Sequence, residues 1–195
     1  LDKTDLNCKL IYEGRVVHLV EDTVRLENGV TARIEFIRHP GSTGIIAFLN
    51  ESDIVLIRQY RHALKKHVWE IPAGTLAPGE SPLPCAMREL TEETGYRAIK
   101  WHPLGNIFPA PGYSDEKMHL FMATDLRAAE QRLDSDEIID VETVALRRTS
   151  DMIENGDIQD AKTIAGLYLA KTWLASYQAS FFGGPQASDG NAFKR

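Results

Sequence analysis

The sequence predicts an α/β layered domain preceded by a small antiparallel β-sheet. Three observations carry that reading. Up to residue 40 the chain alternates in short strand-like runs around an Asn-Gly turn. Two apolar runs follow close together, Ile45-Ile-Ala-Phe-Leu and Ile54-Val-Leu-Ile. Beyond them strand-like and helix-like stretches mix, as expected for helices layered on one apolar sheet.

Each element has its own signal. Leu10 to Val20 is one strand-like run, followed by Thr23-Val-Arg-Leu. Asn28-Gly29 is a hairpin turn, Thr31 to Ile37 alternates, and Pro40-Gly41 ends the unit. A sheet of about three strands rarely stands alone, so it is expected to pack on the main domain or on another subunit. The main unit begins near Gly44, and its first two strands are joined by Asn50-Glu-Ser-Asp53. Val68-Trp-Glu-Ile71 leads into Pro72-Ala73-Gly74. Ser81 can cap a helix, Pro82 suits its first turn and Gly95 is a left-handed stop. Strands are expected near 100–108, 117–124 and 137–146. A short helix starts at Ser150 or Asp151 and ends at Asn155-Gly156. A longer helix covers 160–178, with Ile164, Leu167, Tyr168, Ala170, Leu174 and Tyr177 along one stripe. The Gly- and Ser-bearing stretch from Gly183 onward reads as a disordered tail. The expected division is 1–43 for the sheet, 44–180 for the main domain and 181–195 for the tail.

Composition narrows the class. With 43% hydrophobic and 26% charged residues the usage is that of an ordinary globular protein, and 195 residues suit one domain or a domain with a small extension. A net charge of −6 argues against a nucleic-acid partner. There is no apolar stretch long enough to span a bilayer and no signal-peptide pattern, so no membrane partner is expected and the setting is read as cytoplasmic. Cys8 and Cys85 make no disulfide framework, and Cys85 reads as a small buried hydrophobe rather than a nucleophile. His39, His62 and His67 lack metal-ligand spacing and read as structural or surface residues.

The helix between Ser81 and Gly95 carries the chemistry. Glu89 and Glu93 are four apart and share a face, with Glu92 beside it. Like charges at that spacing weaken a bare helix. The arrangement makes sense if a hard cation sits among the carboxylates, because Mg²⁺ takes oxygen ligands and keeps several waters. Arg88 can restrain a carboxylate through its planar fork. The plain alternative is a solvated acidic helix face.

From Gly74 to Tyr96 the residues resemble the Nudix box. Gly74 is followed after five residues by Glu80, and after seven more by Arg88-Glu89-Leu90, then Glu92-Glu93, Gly95 and Tyr96; only Tyr96 is a looser fit. The resemblance implies the Nudix α/β/α sandwich with a mixed sheet, and divalent-metal-dependent cleavage of a nucleoside diphosphate linked to another group. Phe108-Pro-Ala-Pro-Gly-Tyr-Ser-Asp-Glu-Lys117 looks like the loop of the ADP-ribose pyrophosphatase subfamily, with Pro111 sixteen residues beyond Gly95. Arg58-Gln-Tyr-Arg61, Glu70-Ile-Pro-Ala-Gly74, Asp136-Glu137 and Gly156-Asp-Ile-Gln-Asp-Ala161 agree as well.

That resemblance implies roles. Glu89 and Glu93, with the Ala73 carbonyl, look like the primary metal site, and Glu92 like the support of a second ion. The metal is expected to be Mg²⁺, with Mn²⁺ as the alternative. Arg61 matches an arginine on the diphosphate, although a surface salt bridge is the other reading. Pro111 and Gly112 match the substrate loop, although an ordinary rigid turn would look the same. Glu137 matches the general base, Glu116 competes for that role, and Glu137 can equally be a loop solubiliser. Val16 stands where relatives place a residue against adenine, and it is equally a strand core residue. The subfamily also implies a homodimer that exchanges its amino-terminal sheets. The expected substrate is a small nucleoside diphosphate derivative: ADP-ribose, yielding AMP and ribose 5-phosphate. Other nucleoside diphosphate sugars are the first alternative. A non-catalytic ADP-ribose sensor is the second, and the intact Glu89, Glu92 and Glu93 argue against it.

Overall fold

The computed structural model describes residues 8–15, 17–135 and 137–181, the last five by backbone alone. Val16, Asp136 and the expected tail beyond Phe181 lie outside the described residues. Three strands, β1 (Cys8–Glu13), β2 (His18–Arg25) and β3 (Thr31–Arg38), form an antiparallel sheet in that order. The hairpin sits where Asn28-Gly29 predicts it: the Leu26 N–H donates to the Val30 carbonyl at 2.8 Å, and Gly29 has φ of 82°. The expected single run from Leu10 to Val20 is divided. Gly14 N–H donates to the Val17 carbonyl at 2.9 Å, and this turn makes β1 and β2 partners. The break expected before Thr23 is absent, since β2 pairs with β3 without interruption through Glu21 and Asp22.

The main sheet has seven strands. Its path is β10 (Ile139–Ala145), β5 (Asp53–Arg61), β4 (Ser42–Phe48), β9 (Met118–Ala128) and β8 (Tyr96–Ile107), with β6 (Lys66–Glu70) on β5 and β7 (Ala73–Thr75) on β4. The β4–β9 pair is parallel and the others are antiparallel, so the sheet is mixed.

Alternation on β4 divides the core into two layers. Ile45 and Ala47 pack with Ala86 and Leu90 of α1 (Pro82–Thr94). Ile46 and Phe48 pack with Met152 of α2 (Arg148–Glu154) and with Leu167 and Ala170 of α3 (Ala161–Phe181). Helices on both faces make the expected α/β/α sandwich. Among the described residues no helix is long and apolar enough to cross a membrane.

The helices depart from expectation in three places. Ser81 is the N-cap of α1 with an extended backbone, but its hydroxyl makes no capping bond. Pro84, at the third helical position, lacks one of the two N–H groups that such a cap would use. Gly95, at φ of 69°, ends the helix as expected. Helix α2 starts at Arg148 rather than Ser150 or Asp151, because buried Thr149 already turns back, with N–H and hydroxyl both donating to the Leu146 carbonyl. On α3, Tyr168 is 69% exposed and leaves the expected stripe. Ile164, Leu167, Ala170 and Leu174 of that stripe do pack on the core, with buried Thr163 beside them, and the side chain of Tyr177 lies outside the described residues.

Candidate active site

Strand β7 and helix α1 meet at the box. Gly74 is needed there: a Cβ would fall inside the Glu89 carboxyl group, so only glycine lets that side chain lie against the strand. One turn on, the Ala73 N–H donates to Glu93 Oε2 at 2.9 Å, and Glu93 is 3% exposed. Burial, with the charges of Glu89 and Glu137 adding to it, pushes the Glu93 carboxyl up to about 8 despite that hydrogen bond. Burial also raises the Glu89 carboxyl, against the pull of Arg88.

Arg88 is the hub of the box. Its Nε and Nη2 donate to Glu80 at 3.0 and 2.9 Å, and its Nη1 donates to Glu89 at 2.7 Å and Glu92 at 2.9 Å. Glu80 is held at about 2, chiefly by its hydrogen bond from Arg88. Cys85 is fully buried, and burial pushes its thiol up to about 11, so it is the inert residue the sequence suggests.

A loop after β9 brings the fourth acid. The Gln131 amide donates to the Glu93 carbonyl at 2.6 Å and the Arg132 N–H to the Glu92 carbonyl at 2.9 Å. This anchors the loop on the last turn of α1. Glu137 follows, its Oε2 accepting the Asp134 N–H at 2.9 Å.

Arg61, which also lines the cleft, belongs to a second ionic cluster. Arg61 Nε and Nη2 donate to the two Glu70 oxygens at 2.7 and 2.6 Å. Lys162 of α3 donates to Glu70 and, at 2.9 Å, to Asp160. Burial works to raise the Glu70 carboxyl, but the Arg61 fork and the Lys162 charge outweigh it and hold it below the usual range. Asp160 also accepts the Thr163 hydroxyl at 2.6 Å, and Thr163 Oγ1 accepts the Ile71 N–H at 2.9 Å. The amino end of α3 thus grips the strand leading to Ala73.

Ala73, Gly74, Glu89, Glu92, Glu93, Glu137 and Arg61 line one cleft of about 590 Å³, with Arg15, Gln59, Tyr60, His62, Arg132 and Asp134. A larger hollow of about 860 Å³, walled by Phe48, Trp101 and Trp173, holds none of the box carboxylates. The proline loop is elsewhere. Pro111, Gly112 and Glu116 are not in the cleft wall of the single chain, and Glu116 accepts the Ser42 hydroxyl at 2.5 Å. That loop instead joins the two sheets: Ile37 N–H donates to the Tyr113 carbonyl at 2.8 Å and His39 N–H to Asp115 at 2.7 Å. His62 and His67 lie edge-on to Tyr60.

Among the described residues no three His, Cys, Asp or Glu side chains already converge in ligating geometry. The chemistry of the donor set nonetheless fits a hard divalent cation. Glu89 and Glu93 are carboxylates crowded by burial and by each other, and a cation would relieve both strains.

Crowded carboxylates beside an arginine suit a metal-dependent hydrolase, and comparison with known proteins gives the class. The NUDIX domain family model matches residues 38–167, so the chain belongs to the Nudix family and is a Nudix hydrolase. Members of that family generally need a divalent cation. The chain is 41% identical to the methanol dehydrogenase activator of Bacillus methanolicus over 84% of this chain and 89% of that protein. It is 36% identical to the ADP-ribose pyrophosphatase of Bacillus subtilis (strain 168) over the same shares. A crystal structure of an ADP compounds hydrolase superposes with a TM-score of 0.79 at 26% identity, covering 88% of this chain and 94% of that one.

The sequence pointed to Arg61 but not to its partners. Glu70 and Asp160 lay in matched segments without an assigned role, and neither Lys162 nor Thr163 was singled out. Alternate acids and bases there could have prompted the question; their pairing across 92 residues could not be read.

Proposed function

We propose that this Nudix hydrolase cleaves the diphosphate of ADP-ribose to AMP and ribose 5-phosphate with Mg²⁺. The observation that carries the reading is the meeting of Glu89, Glu92, Glu93 and Glu137 with Arg61 in one cleft. Likeness to an ADP-ribose pyrophosphatase supports the substrate. Glu89, Glu93 and the Ala73 carbonyl would hold the cation, and Glu92 would support a second. The cation supplies charge against the diphosphate and acidifies water. Arg61, oriented by Glu70, binds a diphosphate oxygen through its fork. Glu137 takes the proton of the water that attacks phosphorus as the bridging P–O bond breaks. Pro111 and Gly112 complete the substrate's surroundings from the partner's side of a homodimer. The apolar side chains of Leu10, Ile11, Tyr12 and Ile34, each more than 40% exposed, support exchange of the amino-terminal sheets. Val16 would meet the adenine. The free thiols of Cys8 and Cys85 suit a cytoplasmic setting.

Release of AMP from ADP-ribose, with and without Mg²⁺, is the test. No release at saturating Mg²⁺, alongside turnover of another nucleoside diphosphate sugar, would move the assignment to that sugar. Binding without turnover would make the protein a sensor. Sedimentation at low micromolar concentration should find a dimer that deletion of residues 1–40 abolishes; a fully active monomer would refute the shared site. A second reading follows from the 41% identity to a methanol dehydrogenase activator: the protein stimulates a dehydrogenase. An unchanged methanol dehydrogenase rate on adding this protein would exclude it.

A further inference from the structure

The floor of the cleft holds a group that the reaction described above does not use. Gln59 is 8% exposed, and its Oε1 has no hydrogen-bond partner among the described residues. Buried acceptors are nearly always satisfied, and one left open in a native fold calls for a reason. Gln59 also lines the cleft. It lies on β5, paired with Val68 of β6 on one side and Ile139 of β10 on the other, so its backbone is fixed from both edges. Two residues along the same strand face, about 7 Å by strand geometry, stands Arg61. Two residues before its partner Ile139 stands Glu137. The amide is thus flanked by the residue proposed for the diphosphate and the residue proposed as base.

We propose that Gln59 is a specificity-determining residue whose amide oxygen accepts a hydrogen bond from a hydroxyl of the sugar joined to the diphosphate. The inference rests on the reading of the cleft as a nucleoside diphosphate sugar site. An amide oxygen needs a donor. The diphosphate, ionised at neutral pH, offers acceptors only. The adenosine end, with its own ribose hydroxyls, is assigned to the amino-terminal sheet, which leaves the hydroxyls of the second sugar as the remaining donors of the substrate. A buried acceptor of this kind discriminates strongly, because a substrate without the hydroxyl leaves it unpaired.

Gln59→Met keeps length and flexibility while removing the acceptor. The experiment measures kcat/KM on two substrates in the same preparation: ADP-ribose, and methyl-ADP, in which a methyl group replaces the sugar. The ratio of the two does not depend on how much of the variant is folded. The expected result is a ~10- to 100-fold loss on ADP-ribose with less than a ~3-fold change on methyl-ADP. The variant should also melt no lower than the parent, since no buried acceptor is left unpaired. Equal losses on both substrates, or no loss on either, would overturn the assignment of Gln59 while leaving the reaction standing. If the parent protein itself releases no AMP from ADP-ribose, the proposed function falls, and the role of Gln59 falls with it.

Discussion

Two ionic clusters meet at the cleft, one through Arg88 and its acids and the other through Arg61 alone, and they are built to opposite rules. Around Arg88 one cation serves three acids, Glu80, Glu89 and Glu92, with buried Glu93 close behind. Around Glu70 the charges balance: Arg61 and Lys162 answer Glu70 and Asp160. The first cluster is short of positive charge, and two of its carboxyl groups are pushed upward by burial. The second holds its central carboxylate below the usual range. The first would gain from the cation proposed for it; the second is balanced and holds Arg61 and the approach to Ala73.

The sharpest way to break this contrast is Glu93→Gln. It should lower kcat by roughly two to four orders of magnitude at saturating Mg²⁺, while thermal melting stays at or above that of the parent, since a group that resists ionisation has been neutralised. Near-normal turnover would show that the deficit of charge has no catalytic meaning. Next in size, Glu137→Gln should lower kcat about a hundredfold with little change in KM. Glu116→Gln, whose carboxylate is held by Ser42 outside the cleft wall, should stay near the parent; the reverse result would transfer the base to the proline loop.

The balanced cluster should answer in stability. Lys162 is 12% exposed and Glu70 3%, so Lys162→Met leaves a buried carboxylate short of a partner and should cost about 3 kcal/mol, read from the urea midpoint. An unchanged midpoint would mean that Arg61 alone satisfies Glu70. The smallest expected effect is on pH. A carboxylate lowered in the folded state contributes stability that is fully present above its unfolded value of 4.5 and is lost as pH falls through its lowered folded value. Melting temperature should therefore drop on acidification below that window, and Glu70→Gln should flatten this part of the profile. An equally steep profile in the variant would place the acid sensitivity elsewhere.

What the sequence disclosed follows the same division. Glu89, Glu92, Glu93 and Arg88 lie within six positions on one helix, so helical spacing alone puts them together. The layering of helices on both faces was expected only from the family resemblance, because β4 is apolar and buried throughout and its sequence does not say which face meets which helix. The break at Gly14 was hidden within an apolar run, and the position of Tyr168 depended on how closely α3 lies on the sheet. Pro84 in the first turn of α1 worked against the capping habit of Ser81. The Glu70 cluster was illegible for another reason: Lys162 and Glu70 are separated by most of the domain, and no local pattern links them. Gln59 was visible only as one letter of a matched segment, since an unmet hydrogen bond exists only in three dimensions.

The anchoring of the 129–137 loop has a mechanical consequence. Two of its ties, from Gln131 and Arg132, end on carbonyls of Glu93 and Glu92, the same helical turn that presents the acids proposed to hold the cation. The proposed base is therefore referenced to that turn at one end of the loop and, through the Tyr60 N–H that donates to the Ile138 carbonyl at 3.1 Å, to the strand of Arg61 at the other. The loop thus works as a bridge: its two ends register the proposed base against the acids of α1 and against Arg61 together, so loosening either end would shift both spacings.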